Sequence, residues 1–99
     1  MDKKILVVDD AMFMRSIIRK ILKEAGYTQV WEAQDGEKAM ELFREVSPDL
    51  VLLDITMPGR SGLEVLEEML GLVPNVRVIM CSAVGQETVS YTHLRAHET

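Results

Sequence analysis

Three aspartates and a serine stand at the ends of apolar runs. Ile5-Leu6-Val7-Val8 runs into Asp9-Asp10, Leu50-Val51-Leu52-Leu53 into Asp54, and Val76-Arg77-Val78-Ile79-Met80-Cys81 into Ser82-Ala83. Short apolar runs without alternation read as parallel strands covered on both faces. In open α/β sheets, ligands bind in the crevice beyond the carboxyl ends of the strands. If these three strands are parallel neighbours, three carboxylates and a hydroxyl meet there. Carboxylates that close raise one another's pKa and titrate together unless a cation neutralises them. Few oxygen ligands, with room for waters and a phosphoryl oxygen, suit Mg²⁺ better than a dedicated Ca²⁺ cage, and no Cys/His cluster suggests zinc. A carboxylate beside such a metal can attack phosphorus and form an acyl phosphate. Ser82 and the Ala83 amide would then donate to the remaining phosphoryl oxygens. Taken alone, the Asp9-Asp10 pair could equally be a solvated strand end.

The elements that must position these residues follow from periodicity. Lys4 to Asp9 reads as the first strand. Met14, Ile17, Ile18, Ile21, Leu22 and Ala25 then recur at three- and four-residue spacing, the buried stripe of a helix whose polar face carries Arg15, Arg19, Lys20, Lys23 and Glu24. Gly26 supplies its stop. Thr28 to Ala33, more mixed in polarity, reads as an edge strand. Asp35 is the N-cap of a second helix with Ala39, Met40, Phe43 and Val46 facing inward. After the central strand, stopped by Pro58, comes the loop Gly59-Arg60-Ser61-Gly62. Ser61 and Glu64 match a capping box for a third helix whose buried stripe is Leu63, Leu66, Met69, Leu70 and Val73. The order βαβαβαβ points to an α/β fold: a parallel sheet with right-handed crossovers and helices on both faces.

Composition sets the bounds. The 99 residues suit one domain, and a 47% hydrophobic content suffices for one core. With 11 basic against 16 acidic residues the net charge is −5, and no basic run argues for nucleic acid as a partner. No apolar run is long enough for a membrane span, and Met1-Asp2-Lys3-Lys4 leads into a strand rather than a signal peptide. Cys81 reads as a small buried hydrophobe in a reducing cytoplasm.

Asp9-Asp10, Asp54, Met57-Pro58, Gly62 and Ser82-Ala83 together resemble the receiver domain of two-component response regulators. Asp10-Ala11-Met12-Phe13-Met14-Arg15 and Cys81-Ser82-Ala83-Val84-Gly85-Gln86 are similar to its stand-alone, CheY-like chemotaxis branch. The likeness covers roughly residues 3 to 88, and its motifs are specific jointly rather than singly. It implies a flavodoxin-like sheet with strand order 2-1-3-4. It implies Asp54 as acceptor of phosphoryl from a phosphohistidine on a sensor histidine kinase of the CheA type. Asp10 and Asp54 would ligate Mg²⁺ with the Thr56 backbone carbonyl, Asp9 would act largely through bound water, and Ser82 would bond the phosphoryl group and help transmit a switch. Such a protein is not a turnover enzyme, but it catalyses its own phosphorylation and dephosphorylation. Its partners in the intact parent would include a flagellar motor switch or a phosphatase, and an output partner would read a surface shifted by phosphorylation.

The chain departs from that pattern after residue 88. A receiver continues through a fourth helix, a fifth strand ending in an essential lysine, and a fifth helix, whereas no lysine follows Lys38 here and Tyr91 comes too early to be the family's switch aromatic. Residues 89–99, Val89-Ser90-Tyr91-Thr92-His93-Leu94-Arg95-Ala96-His97-Glu98-Thr99, resemble translated adapter sequence. The expectation is a partial receiver over residues 1–88, lacking the fifth strand and last helix, with a non-native tail. Val76 to Cys81 would then be a bare apolar edge that invites self-association. His93 and His97 have helical metal-ligand spacing but lie in that tail.

Other functions remain in play. A haloacid-dehalogenase-type phosphatase also places an aspartate at a parallel strand end with Mg²⁺, yet it needs a second aspartate two residues on, where Thr56 stands. A dinucleotide-binding domain would want G-x-G-x-x-G after the first strand, and Asp9-Asp10-Ala11-Met12 has no glycine. A receiver fragment without function is the third alternative.

Overall fold

A computed structural model describes residues 3–55, 61–81 and 88–90, the last three by their backbone alone. The chain runs β1 (Lys4–Val8), α1 (Met12–Glu24), β2 (Gln29–Ala33), α2 (Gly36–Val46), β3 (Leu50–Asp54), α3 (Gly62–Leu72), β4 (Arg77–Cys81) and β5 (Thr88–Ser90). β2, β1, β3 and β4 lie side by side in that order, all parallel, with β2 at the edge as its mixed polarity indicates. Val7 pairs with Leu52, and Leu53 with Met80, so β1 and β3 are central and their carboxyl ends are level. No described helix is long and apolar enough to cross a membrane.

Local chemistry sets the helix boundaries. The Asp35 carboxylate accepts from the Lys38 amide at 2.8 Å and the Ser61 hydroxyl from the Glu64 amide at 3.2 Å, so both expected N-caps form. Each satisfies an amide that the helix start leaves without a partner. Gly26, at φ 101°, provides the left-handed turn after α1. At the foot of the sheet the Lys4 amide donates to Asp49 Oδ2, and the Asp49 amide to the Lys4 carbonyl, both at 2.8 Å, which locks the start of β3 beside β1.

The core sits on one side of the sheet. Leu6, Val8, Val51, Leu53, Val78 and Met80 meet Met40 and Phe43 of α2 and Val65, Leu66 and Met69 of α3 in one cluster. Arg44 and Glu68, 2.7 Å apart, tie the two helices across their outer surface. α3 is rotated from its expected phase: Val65 is buried, while Leu63 and Val73 face solvent. Gly62, Val65, Leu66, Met69 and Leu70 form the buried stripe, because the helix meets the sheet on the side of its first glycine.

The other side departs further from expectation. α1 buries none of its residues, and Met14, Ile17 and Ile21, assigned to an inward stripe, are 41, 38 and 58% exposed. Ile5 and Val7 of β1 are buried on the sheet, yet Leu52 and Ile79 beside them are only partly covered. Among the described residues α1 is the one helix on this face, and its apolar stripe stays largely open to solvent.

The edge of β4 is also not bare. β5 pairs with it antiparallel, Thr88 opposite Cys81, Val89 opposite Met80 and Ser90 opposite Ile79. A parallel return needs a crossover of roughly a dozen residues, whereas a short connection can deliver only an antiparallel partner. The pairing takes up the upper part of the edge expected to recruit another chain. It also straddles the boundary placed at residue 88.

Candidate functional site

The acidic nest forms at the carboxyl ends of β1 and β3. Asp9, Asp10 and Asp54 each offer a carboxylate oxygen, and these oxygens lie within 4.8 Å of one another. Asp54, the last residue of β3, is 6% exposed and pairs in the sheet with Cys81, and the Ile55 amide donates to the Cys81 carbonyl at 3.1 Å. Asp10 is exposed, so the nest opens to solvent on one side. Thr56, Met57, Pro58, Ser82 and Ala83, the remaining expected participants, lie outside the described residues, as do His93 and His97.

Asp9 is anchored three ways. Its amide donates to the Ala33 carbonyl at 3.0 Å, its Oδ1 accepts from the Ala11 amide at 2.9 Å, and its carbonyl accepts from Arg15 Nη1 at 2.7 Å. Burial pushes the Asp9 carboxyl above its ordinary pKa, Asp54 and Asp10 push it the same way, and the Ala11 amide and Arg15 oppose them. An ionised Asp9 is therefore costly without a cation. Three carboxylates, one of them buried, form a donor set suited to a small hard dication. Their spacing is close to the roughly 3 to 4 Å between ligand oxygens of an octahedral ion with bonds of about 2.1 Å. The residues present fit Mg²⁺.

The sequence reading missed Arg15 and Glu32 beside the nest. Arg15, assigned to the solvated face of α1, has a side chain only 12% exposed and reaches back over the Asp9-Asp10 turn to Glu32 on β2, Nε to Oε1 at 3.1 Å. Arg19 reaches the other oxygen of Glu32 at 2.7 Å. Burial alone would raise the Glu32 pKa, but the hydrogen bonds from Arg19 and Arg15 outweigh it and hold the carboxyl below its ordinary value. No periodicity links residue 15 to residue 32; only the pairing of β2 with β1 brings them together.

Cys81 is half-buried rather than buried. Burial, then Asp54 and Asp9, push its thiol above the ordinary pKa. Since the thiolate is the nucleophile, alkylation at mildly alkaline pH should run severalfold slower than for free cysteine. Added Mg²⁺ should quicken it by offsetting the carboxylates. A rate equal to that of free cysteine and indifferent to Mg²⁺ would contradict this account.

Comparison with known proteins accords with the geometry. The family described as response regulator receiver domain matches residues 5–98. The chain belongs to that family. Among curated relatives, this receiver is 41% identical over 96 residues to the chemotaxis protein CheY of Thermotoga maritima, covering 97% of this chain and 80% of that one. It is 50% identical over 84 residues to CheY of Listeria monocytogenes, covering 85 and 71%. Among solved structures, the receiver superimposes with a TM-score of 0.80 on the response regulator TrrA of Thermotoga maritima in complex with Mg²⁺-BeF, at 41% identity and covering 84 and 71% of the two chains. The expected order 2-1-3-4 of parallel strands is that of a CheY-like receiver.

Proposed function

We propose that this receiver takes a phosphoryl group onto Asp54 from a phosphohistidine of a sensor histidine kinase, in a Mg²⁺-dependent reaction of chemotaxis-type signalling in the cytoplasm. The observation that carries this reading is the convergence of the Asp9, Asp10 and Asp54 carboxylates at the ends of β1 and β3. The relatives named CheY support the chemotaxis assignment and a kinase of the CheA type.

Asp9, Asp10 and Asp54 would hold the ion, with the Thr56 carbonyl as a further ligand implied by the family. Bound Mg²⁺ supplies positive charge where the transferring phosphoryl group accumulates negative charge. Asp54 is set at a rigid strand end, so one carboxylate oxygen is presented to phosphorus while the backbone behind it stays fixed by β4. That oxygen forms the new P–O bond. The P–N bond of the phosphohistidine breaks, its electron pair returns to the imidazole, and the ring keeps a proton on one nitrogen. Ser82 and the Ala83 amide are the donors proposed for the phosphoryl oxygens. Self-catalysed loss of the group, by water attacking the same phosphorus, belongs to this reading.

Incubation with acetyl phosphate tests it. With Mg²⁺, one phosphoryl group should appear, labile to hydroxylamine as an acyl phosphate is, and peptide mapping should place it on Asp54; chelation should prevent it. The rival reading is a receiver that folds and binds the ion without accepting phosphoryl. Mg²⁺ binding with no labelling would establish that rival.

A further inference from the structure

The geometry points to Arg15, clamped by Glu32, as a positioning residue for the metal-binding turn: its guanidinium fixes the peptide between Asp9 and Asp10 and so sets the spacing of two of the three carboxylates. The inference rests on reading the acidic nest as a Mg²⁺ site.

Three observations carry it. Arg15 Nη1 donates to the Asp9 carbonyl at 2.7 Å, and that carbonyl belongs to the peptide plane that delivers the Asp10 amide. Arg15 Nε donates in the same pose to Glu32 at 3.1 Å, and the side chain is 12% exposed, so it is a fixed strut rather than a waving surface cation. Glu32 stands on β2, whose Ala33 carbonyl takes the Asp9 amide at 3.0 Å, so the turn is held on its amide side by strand pairing and on its carbonyl side by this guanidinium. α1 offers no buried residue to hold the turn by packing. A planar fork can bridge a carbonyl and a carboxylate in one orientation, whereas an ammonium on a flexible stem cannot do both with the same rigidity.

The strut reading and a purely electrostatic one predict opposite signs. As a mere charge, Arg15 would repel Mg²⁺, so Arg15→Gln would tighten binding and Arg15→Lys would leave it unchanged. As a strut, both variants should bind Mg²⁺ about tenfold more weakly, the scale seen when groups behind metal ligands are removed. Arg19→Gln is the control, because it breaks only the outer half of the Glu32 pair, Nη1 to Oε2 at 2.7 Å, and leaves the Arg15 bond to Asp9 in place. It should lower the melting temperature without moving the Mg²⁺ dissociation constant. The measurement is calorimetric titration of the full 99-residue chain with Mg²⁺ alone, with circular dichroism reporting folding. If Arg15→Gln does not fold, Arg15→Lys decides. Parent-like affinity in Arg15→Lys, tighter binding in Arg15→Gln, or an equal loss in Arg19→Gln would overturn the strut. A parent that takes up no Mg²⁺ would instead overturn the reading of the nest, and the strut with it.

Discussion

Asp54→Asn is expected to abolish phosphoryl labelling while raising the melting temperature of the metal-free domain. Loss of labelling follows because the amide cannot supply the anionic oxygen that attacks phosphorus. The gain in stability follows from the nest itself. Asp54 is 6% exposed and lies within 4.8 Å, oxygen to oxygen, of two other carboxylates, and its charge raises the Asp9 pKa. An isosteric neutral group relieves that repulsion, by up to about 1 kcal/mol on the scale of partly exposed charge pairs. Because the folded-state pKa of Asp9 lies above its unfolded value, the fold binds that proton more tightly than the unfolded chain does. Its contribution to stability is fully present below the unfolded value and is lost as pH rises through the folded one. Glu32 acts in the opposite sense: its pKa is lowered, so its contribution is present above its unfolded value and is lost as pH falls through the folded one. The Asp9 contribution to the stability of the metal-free parent should therefore be lost as pH rises through its folded-state pKa, and Asp54→Asn should flatten that loss. Thermal melts across pH, with and without Mg²⁺, provide the check. An Asp54→Asn protein that still labels, or that melts lower than the parent at neutral pH without metal, would contradict the account.

Gly62→Ala and Gly71→Ala, in the same helix, should move stability in opposite directions. A Cβ on Gly62 would fall 2.5 Å from the Asp54 carbonyl oxygen and 2.6 Å from Ile55 Cα. Both are backbone atoms at the end of the central strand, so the conflict cannot be relieved by turning a side chain. α3 would have to back away from β3, at a cost of about 3 kcal/mol, the upper range for overpacking. The same shift would displace Asp54, so labelling should fall with stability. Gly71 has nothing within 4 Å of its would-be Cβ, and alanine there should add roughly 0.5 to 1 kcal/mol through helix propensity. Urea denaturation of both variants measures the pair. A Gly62→Ala protein within about 1 kcal/mol of the parent would show that the helix start yields more easily than the contact implies.

What was legible in the sequence was whatever local pattern and strand-end chemistry control. The unalternating run of β3 announced a central parallel strand, Asp35 and Ser61 announced their helices, and the carboxylates at two strand ends announced the nest. Periodicity also found a stripe on α1, but it could not say how much of the sheet face around that stripe would be covered. The phase of α3 escaped because Gly62 lets the helix start press on β3, a close approach that an apolar count ignores. β5 escaped because edge pairing depends on the length of a connection rather than on the residues it joins. The bridge from Arg15 to Glu32 escaped because its partners share no element and meet only once β2 lies beside β1.

The uncovered stripe of α1 bears on the heat capacity of the protein. Unfolding raises the heat capacity mainly by wetting apolar surface, usually by about 12 to 15 cal/mol/K per residue. Met14, Ile17 and Ile21 are already partly wet in the native state, so each contributes less to that increment than a fully buried residue would. The curve of free energy against temperature is correspondingly shallower, its curvature coming chiefly from the cluster on the α2–α3 side of the sheet, with Ile5 and Val7 added from the other face.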